Sequence, residues 1–151
     1  WLVSEIDNNN GGSGIQGYAY FASAHGQTYD GTVILASNFK SSASTTGVHE
    51  LGHAFNLYHT FEGDGGGGAC PTNGNCLTDG DRVCDTPTHV RSGSDCVVAA
   101  NACDGGSSST LFIHNYMDYS SDASQSEFTA GQKVRVAAAM TGIRTSFLEI
   151  N

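Results

Sequence analysis

The chain has 151 residues, a hydrophobic fraction of 38%, 20 glycines and a formal net charge of −9, with only six Lys plus Arg. That length fits one domain (1–151) with a modest, loop-rich core. So few basic residues argue against a nucleic-acid partner, and no apolar run reaches transmembrane length, so no membrane partner is expected.

Trp1 to Ile6 reads as a first strand. Because the chain opens inside it without an initiator Met, a processed or truncated product is expected. Asp7 to Gly14 is a loop, Tyr18 to Ala22 a second strand and Thr32 to Ala36 a third. As an edge strand before the following helix, the third could pair with an extended substrate, or be an ordinary sheet strand. The Ser- and Thr-rich stretch 41–46 suits a helix start.

The helix it opens carries His49-Glu50-Leu51-Gly52-His53 and runs to about Asn56, with His59 three residues on. Histidines at i and i+4 share one helix face, a spacing that lets both imidazoles meet one Zn²⁺. Glu50, directly after the first, can act as general base on a water there. An unbroken helix would turn His59 away, so the chain must turn near Asn56. Asn tolerates the left-handed conformation that ends helices. Three His ligands leave a fourth position open, the arrangement of catalytic zinc. A Glu as third ligand fits less well: Glu62 comes too soon and Glu127 too late.

From Phe61 to Gly106 periodicity is lost, and Cys70, Cys76, Cys84, Cys96 and Cys103 all fall in this stretch. Clustered cysteines without a Cys-x-x-Cys pair favour disulfides and a secreted protein over a second zinc site. An odd count leaves one unpaired within the chain. The acidic run 78–87, with Asp81, Asp85 and Thr86, can also hold Ca²⁺, or be a solvated loop. Leu111 to His114 reads as a short strand. Thr129 with Gln132 fits a capping box opening a C-terminal helix that packs through Val136, Met140, Ile143 and Phe147.

The zinc stretch with Asn115-Tyr116-Met117-Asp118-Tyr119 resembles a metzincin metallopeptidase. Gly17 to Phe21, Asp30 to Val33, Leu57 to Phe61 and Gly80 to Pro87 resemble the pappalysin family within that clan. The resemblance implies an α+β fold: a small mixed sheet, an active-site helix, a long disulfide and calcium loop region, a Met-turn and a C-terminal helix. Residues 1–56 would form the upper part and 57–151 the lower. It implies His49, His53 and His59 as zinc ligands, Glu50 as base, Met117 as floor of the site and Tyr119 as oxyanion partner. It also implies structural Ca²⁺ at the acidic loop and Thr32–Ser37 as the strand along which an extended peptide or protein substrate lies. Asn56 stands where the family has Gly. Ser124 stands where relatives carry a Cys, which leaves Cys96 unpaired and implies bridges Cys70–Cys103 and Cys76–Cys84. An N-terminal part carrying a strand and a backing helix would lie on a missing segment or another chain. The function implied is a secreted zinc endopeptidase; the alternative is a non-catalytic binding or assembly module with structural metals.

Overall fold

The computed structural model describes residues 1–93, 102–103 and 110–148. Two compact units can be distinguished, Trp1–Asn56 with Val136–Asn151, and Leu57–Arg135.

The first unit is built on a three-stranded sheet ordered β1-β3-β2, with β1 at Leu2–Val3, β2 at Gly17–Ala19 and β3 at Thr32–Leu35. β3 pairs parallel with β1 and antiparallel with β2. Its unbroken apolar run suits this central place, since a strand covered by neighbours needs no polar alternation. Val33 and Leu35 point to one face, where they pack with Ile6 and Val3. Ile34 points to the other, toward Gly47. The loop after β1 closes on a tight turn: Ile6 and Asn9 exchange backbone hydrogen bonds of 2.9 and 2.8 Å across Asp7 and Asn8. Both turn residues have positive φ, 47° and 63°, the geometry that matches strand twist in hairpin-like turns and that Asp and Asn tolerate.

The expectation that Thr32–Ser37 forms an edge open to substrate is overturned. Both sides of β3 are occupied, and Ser37 lies in a short helix, α1, at Ala36–Lys40. The free edge beside it belongs to β2. Tyr20 N donates to the Gly31 carbonyl (3.2 Å) and Leu35 N to the Gln16 carbonyl (3.0 Å). The backbone groups of the even-numbered residues thus face β3. With the two-residue period of a strand, those of Gly17 and Ala19 face outward.

The active-site helix, α2, spans Thr46–Ala54 and packs on β2 and β3. The Ser/Thr-rich lead supplies its start: the Ser44 hydroxyl accepts from Thr46 N at 3.3 Å. Its C-terminal end is held from far along the chain. Buried Arg144 donates through Nε to the Ala54 carbonyl (2.7 Å) and through both Nη atoms to Asp30 (2.7 Å each). A cation here also meets the negative end of the helix dipole.

The second unit carries no named strand among its described residues. Its core mixes Leu57, Phe61, Val83, Phe112, Ile113 and Met117 with buried Asp64, Asp81, His89, Asn115, Asp118 and Gln132. Disulfides Cys70–Cys103 and Cys76–Cys84 cross-link it; Cys96 lies outside the described residues. Leu111 to His114, expected as a strand, belongs to a 3₁₀ helix at Thr110–His114, where Asn115 N bonds the Phe112 carbonyl at 3.1 Å.

The C-terminal helix, α3, covers Ala130–Gly142. Its capping box forms in both directions: Gln132 N donates to Thr129 Oγ1 (3.1 Å) and Thr129 N to Gln132 Oε1 (2.9 Å). The expected apolar stripe is only half realised. Val136 and Met140 are half-buried, while Ile143 and Phe147 are exposed. The helix ends at Gly142, so helical spacing no longer places the last two; Gln132, Ala139 and Arg144 are the buried positions.

Candidate metal centre

His49, Glu50 and His53 lie on α2 and are buried. The two imidazoles, one turn apart, sit edge to face with centroids 4.8 Å apart. Phe21 packs against His53 at 5.6 Å. After Ala54 the chain leaves the helix as the residues predict: Asn56 takes a left-handed φ of 76° while its N–H still bonds the His53 carbonyl at 2.9 Å. This short turn brings His59 back. The ligand atoms of His49, His53 and His59 all lie within 4.8 Å of one another. Neutral imidazoles are the donors that zinc prefers, so the trio fits such an ion.

Glu50 has a second constraint that the sequence does not reveal. A Cβ at Gly17 would stand 2.9 Å from Glu50 Cγ and 2.9 Å from the Val33 carbonyl. Only Gly lets β2 pass this close to the carboxylate. Burial pushes the Glu50 carboxyl up to about 7, and its Oε2 has no hydrogen-bond partner. A buried carboxylate oxygen left unpaired is costly; beside three imidazoles it is what a bound cation and its water would satisfy.

His59 stands among rings. Its imidazole stacks on Phe61 (4.7 Å, 7° between planes), and Tyr119 meets both edge-on at 4.9 and 4.8 Å. Tyr119 is 47% exposed, so it is not a tyrosine buried on the backbone. Glu62 Oε2 lies 3.9 Å from His59 Nδ1. That separation is beyond hydrogen-bond distance, so Glu62 is a charged neighbour of the ring and not a bonded partner.

Met117 is fully buried, and its carbonyl accepts from Thr60 N at 3.2 Å. The turn around it is set by Asn115, whose Oδ1 accepts from Met117 N (2.9 Å) and whose amide pairs with that of Gln132 (2.8 and 3.0 Å). The residue that caps α3 therefore also steadies the Met-turn. Behind Thr60 lies His89, fully buried and stacked on Phe112 at 4.2 Å. Its Nδ1 is 2.8 Å from the Val90 carbonyl and its Nε2 2.8 Å from Thr60 Oγ1. A carbonyl only accepts, so Nδ1 carries the proton and Nε2 accepts from the hydroxyl. Burial holds the His89 pKa below the usual value.

Of the candidate calcium residues, Asp85 and Thr86 are engaged elsewhere. Asp85 accepts from Thr129 Oγ1 (2.7 Å) and Gly131 N (2.8 Å) at the start of α3. Thr86 Oγ1 donates to the Val83 carbonyl at 2.8 Å. Asp81 accepts from Val83 N at 3.1 Å through Oδ1, and its Oδ2 has no partner. Burial raises the Asp81 carboxyl to about 6. Among the described residues, the histidine trio is the only set of three or more His, Cys, Asp or Glu close enough to share an ion.

Residues 6–141 match the model of the peptidase family described as pregnancy-associated plasma protein-A, M43. An extracellular metalloprotease of Podospora anserina is 39% identical over 139 residues, covering 85% of this chain and 43% of the relative. One of Pyricularia oryzae is 38% identical over 140 residues, covering 87% and 45%. The chain thus spans less than half the length of these relatives. Among solved structures, mirolysin in complex with compound 9 superposes with a TM-score of 0.66 at 29% identity, over 87% of this chain and 51% of that one. Mature mirolysin of Tannerella forsythia with a cleaved peptide gives 0.61 at 30% identity, over 89% and 52%. The small mixed sheet, helices and disulfides agree with the metzincin-like α+β expectation, and the chain belongs to the pappalysin family of metallopeptidases, M43.

Proposed function

We propose that this chain is the zinc-binding part of a secreted endopeptidase, with His49, His53 and His59 as ligands and Glu50 as general base. The observation that carries this reading is the convergence of three imidazole ligand atoms within 4.8 Å. Bound zinc supplies Lewis acidity to the scissile carbonyl and makes the attacking water more acidic. Glu50 accepts the proton of that water and delivers it to the leaving amine. Tyr119, exposed beside His59, is placed to donate its hydroxyl hydrogen to the carbonyl oxygen as negative charge develops there. Met117 does no chemistry and supports the floor.

The free edge of β2 is the place for the peptide. Gly17 and Ala19 offer outward backbone groups, and Gly17 lies against Glu50. An extended peptide added antiparallel there would bring its carbonyl groups past the base. Mirolysin's complex with a cleaved peptide supports a peptide ligand, and the extracellular relatives support secretion.

The test compares peptide cleavage by the wild type and the Glu50→Ala variant, each with zinc content measured. General-base catalysis is worth about 10²–10⁴-fold, and a loss of that size is expected with zinc retained. Equal, metal-independent cleavage by both would favour a non-catalytic module.

A further inference from the structure

We propose that Arg91 is a positioning residue of the metal centre: anchored by Asp64, its guanidinium clamps Phe61 and Tyr119, and these two rings fix the plane of the His59 imidazole. The inference rests on the reading of His59 as a ligand. His49 and His53 are held by a helix. His59 is not; it follows a turn, and its ring orientation must come from its neighbours.

The neighbours form a connected set. The buried Asp64 carboxylate accepts from Arg91 Nε (2.8 Å), Arg91 Nη2 (2.7 Å), Arg91 N (3.1 Å) and Gly66 N (3.0 Å). Two parallel contacts fix the guanidinium in plane as well as in place, which an ammonium could not do. The fixed guanidinium centre lies 5.0 Å from the Phe61 ring centroid and 6.0 Å from that of Tyr119. Phe61 in turn lies nearly parallel to His59, 7° between planes, and Tyr119 closes the edges of both rings. Rotation of the His59 ring would have to displace Phe61, which the arginine blocks. Asp64 sits at the base of the glycine loop 65–68, whose Gly67 and Gly68 N–H groups bond its carbonyl at 3.2 and 3.0 Å. That glycine run wraps the anchor of the clamp.

The test measures zinc dissociation constants by chelator competition for the wild type and the His59→Ala, Arg91→Met and Arg91→Lys variants, each below its melting temperature, with kcat and KM for a peptide alongside. Partners behind metal ligands are worth about 10–100-fold in metal affinity. We expect a loss in that range for Arg91→Met, a smaller one for Arg91→Lys, which keeps the charge but not the plane, and a fall in kcat with KM nearly unchanged. A variant that melts earlier but binds zinc like the wild type overturns the inference, because Arg91 would then serve stability alone. If Arg91→Met does not fold, Arg91→Lys decides by the same criterion. Should His59→Ala bind zinc like the wild type, the ligand reading itself fails, a result distinct from failure of Arg91→Met with His59→Ala impaired.

Discussion

Replacing Arg144 with Met keeps an unbranched stem out to the position of Nε and removes the guanidinium with its charge and all its donors. Two consequences can be sized. The Ala54 carbonyl loses its 2.7 Å partner at the end of α2, worth about 1 kcal/mol. Asp30 loses two bonds of 2.7 Å and its cationic partner, and is left with His25, whose Nδ1 lies 3.5 Å from Oδ2. Breaking a buried pair by removing one member costs about 3–5 kcal/mol; the Asp30 side chain keeps 13% exposure, which favours the lower end. The total expected loss is about 3–4 kcal/mol, or roughly 6–16 °C for a chain of this size. The Asp30→Asn variant should cost less, about 1–2 kcal/mol, because the arginine keeps the Ala54 carbonyl. The double variant should be no worse than Arg144→Met alone, since the orphaned charge is gone. Urea denaturation of all four proteins at pH 7 gives the coupling. Hydrogen bonding to Arg144 lowers the Asp30 pKa, so the pair's contribution is present above the ordinary carboxylate value of about 3.9 and is lost as pH falls through the lower folded value. The wild-type advantage over Arg144→Met should shrink below pH 4. Additivity of the two single changes to within about 0.5 kcal/mol would show that the pair does not hold the helix end.

Two other outcomes follow from single residues. Burial lifts the Asp81 carboxyl from 3.8 to about 6, so its folded form binds a proton that the unfolded chain has released. Its contribution is therefore complete below about pH 4 and lost as pH rises through 6, at most about 3 kcal/mol. The Asp81→Asn variant should gain on the wild type between pH 4 and 7 in thermal melts, and added Ca²⁺ should reverse the order if the ion uses the free Oδ2. Parallel melting curves across that range, without calcium, would contradict this. At Asn56, with φ of 76°, Gly carries no Cβ penalty, and Asn56→Gly should raise stability by about 0.5–1 kcal/mol with zinc affinity unchanged. A loss of stability would show that the Asn side chain is required there.

The features legible in the sequence are those with short-range causes. His49 and His53 follow from helical spacing, Asn56 from the left-handed stop that His59 demands, and the reciprocal cap of Thr129 and Gln132 from a four-residue pattern. The bridges Cys70–Cys103 and Cys76–Cys84 came only with the family resemblance, because pairing depends on the fold. Strand order has no local signature, so nothing near β3 separates an edge from a central place except its continuous apolar run, which suits the latter. Arg144 and Asp30 are 114 positions apart, and nothing in either neighbourhood announces the other. The same holds for Arg91 and Asp64, separated by 27. The one hint was scarcity: in a chain with six Lys plus Arg, each basic residue merited a search for its carboxylate.

The outward edge of β2 has a consequence for what such an enzyme would cut. Gly17 and Ala19 present peptide N–H and C=O groups, which every protein chain carries. Recognition by them asks only that a target be extended and locally unpaired. Folded domains hide those groups in helices and sheets, so susceptibility would track local unfolding in the target more than its side chains.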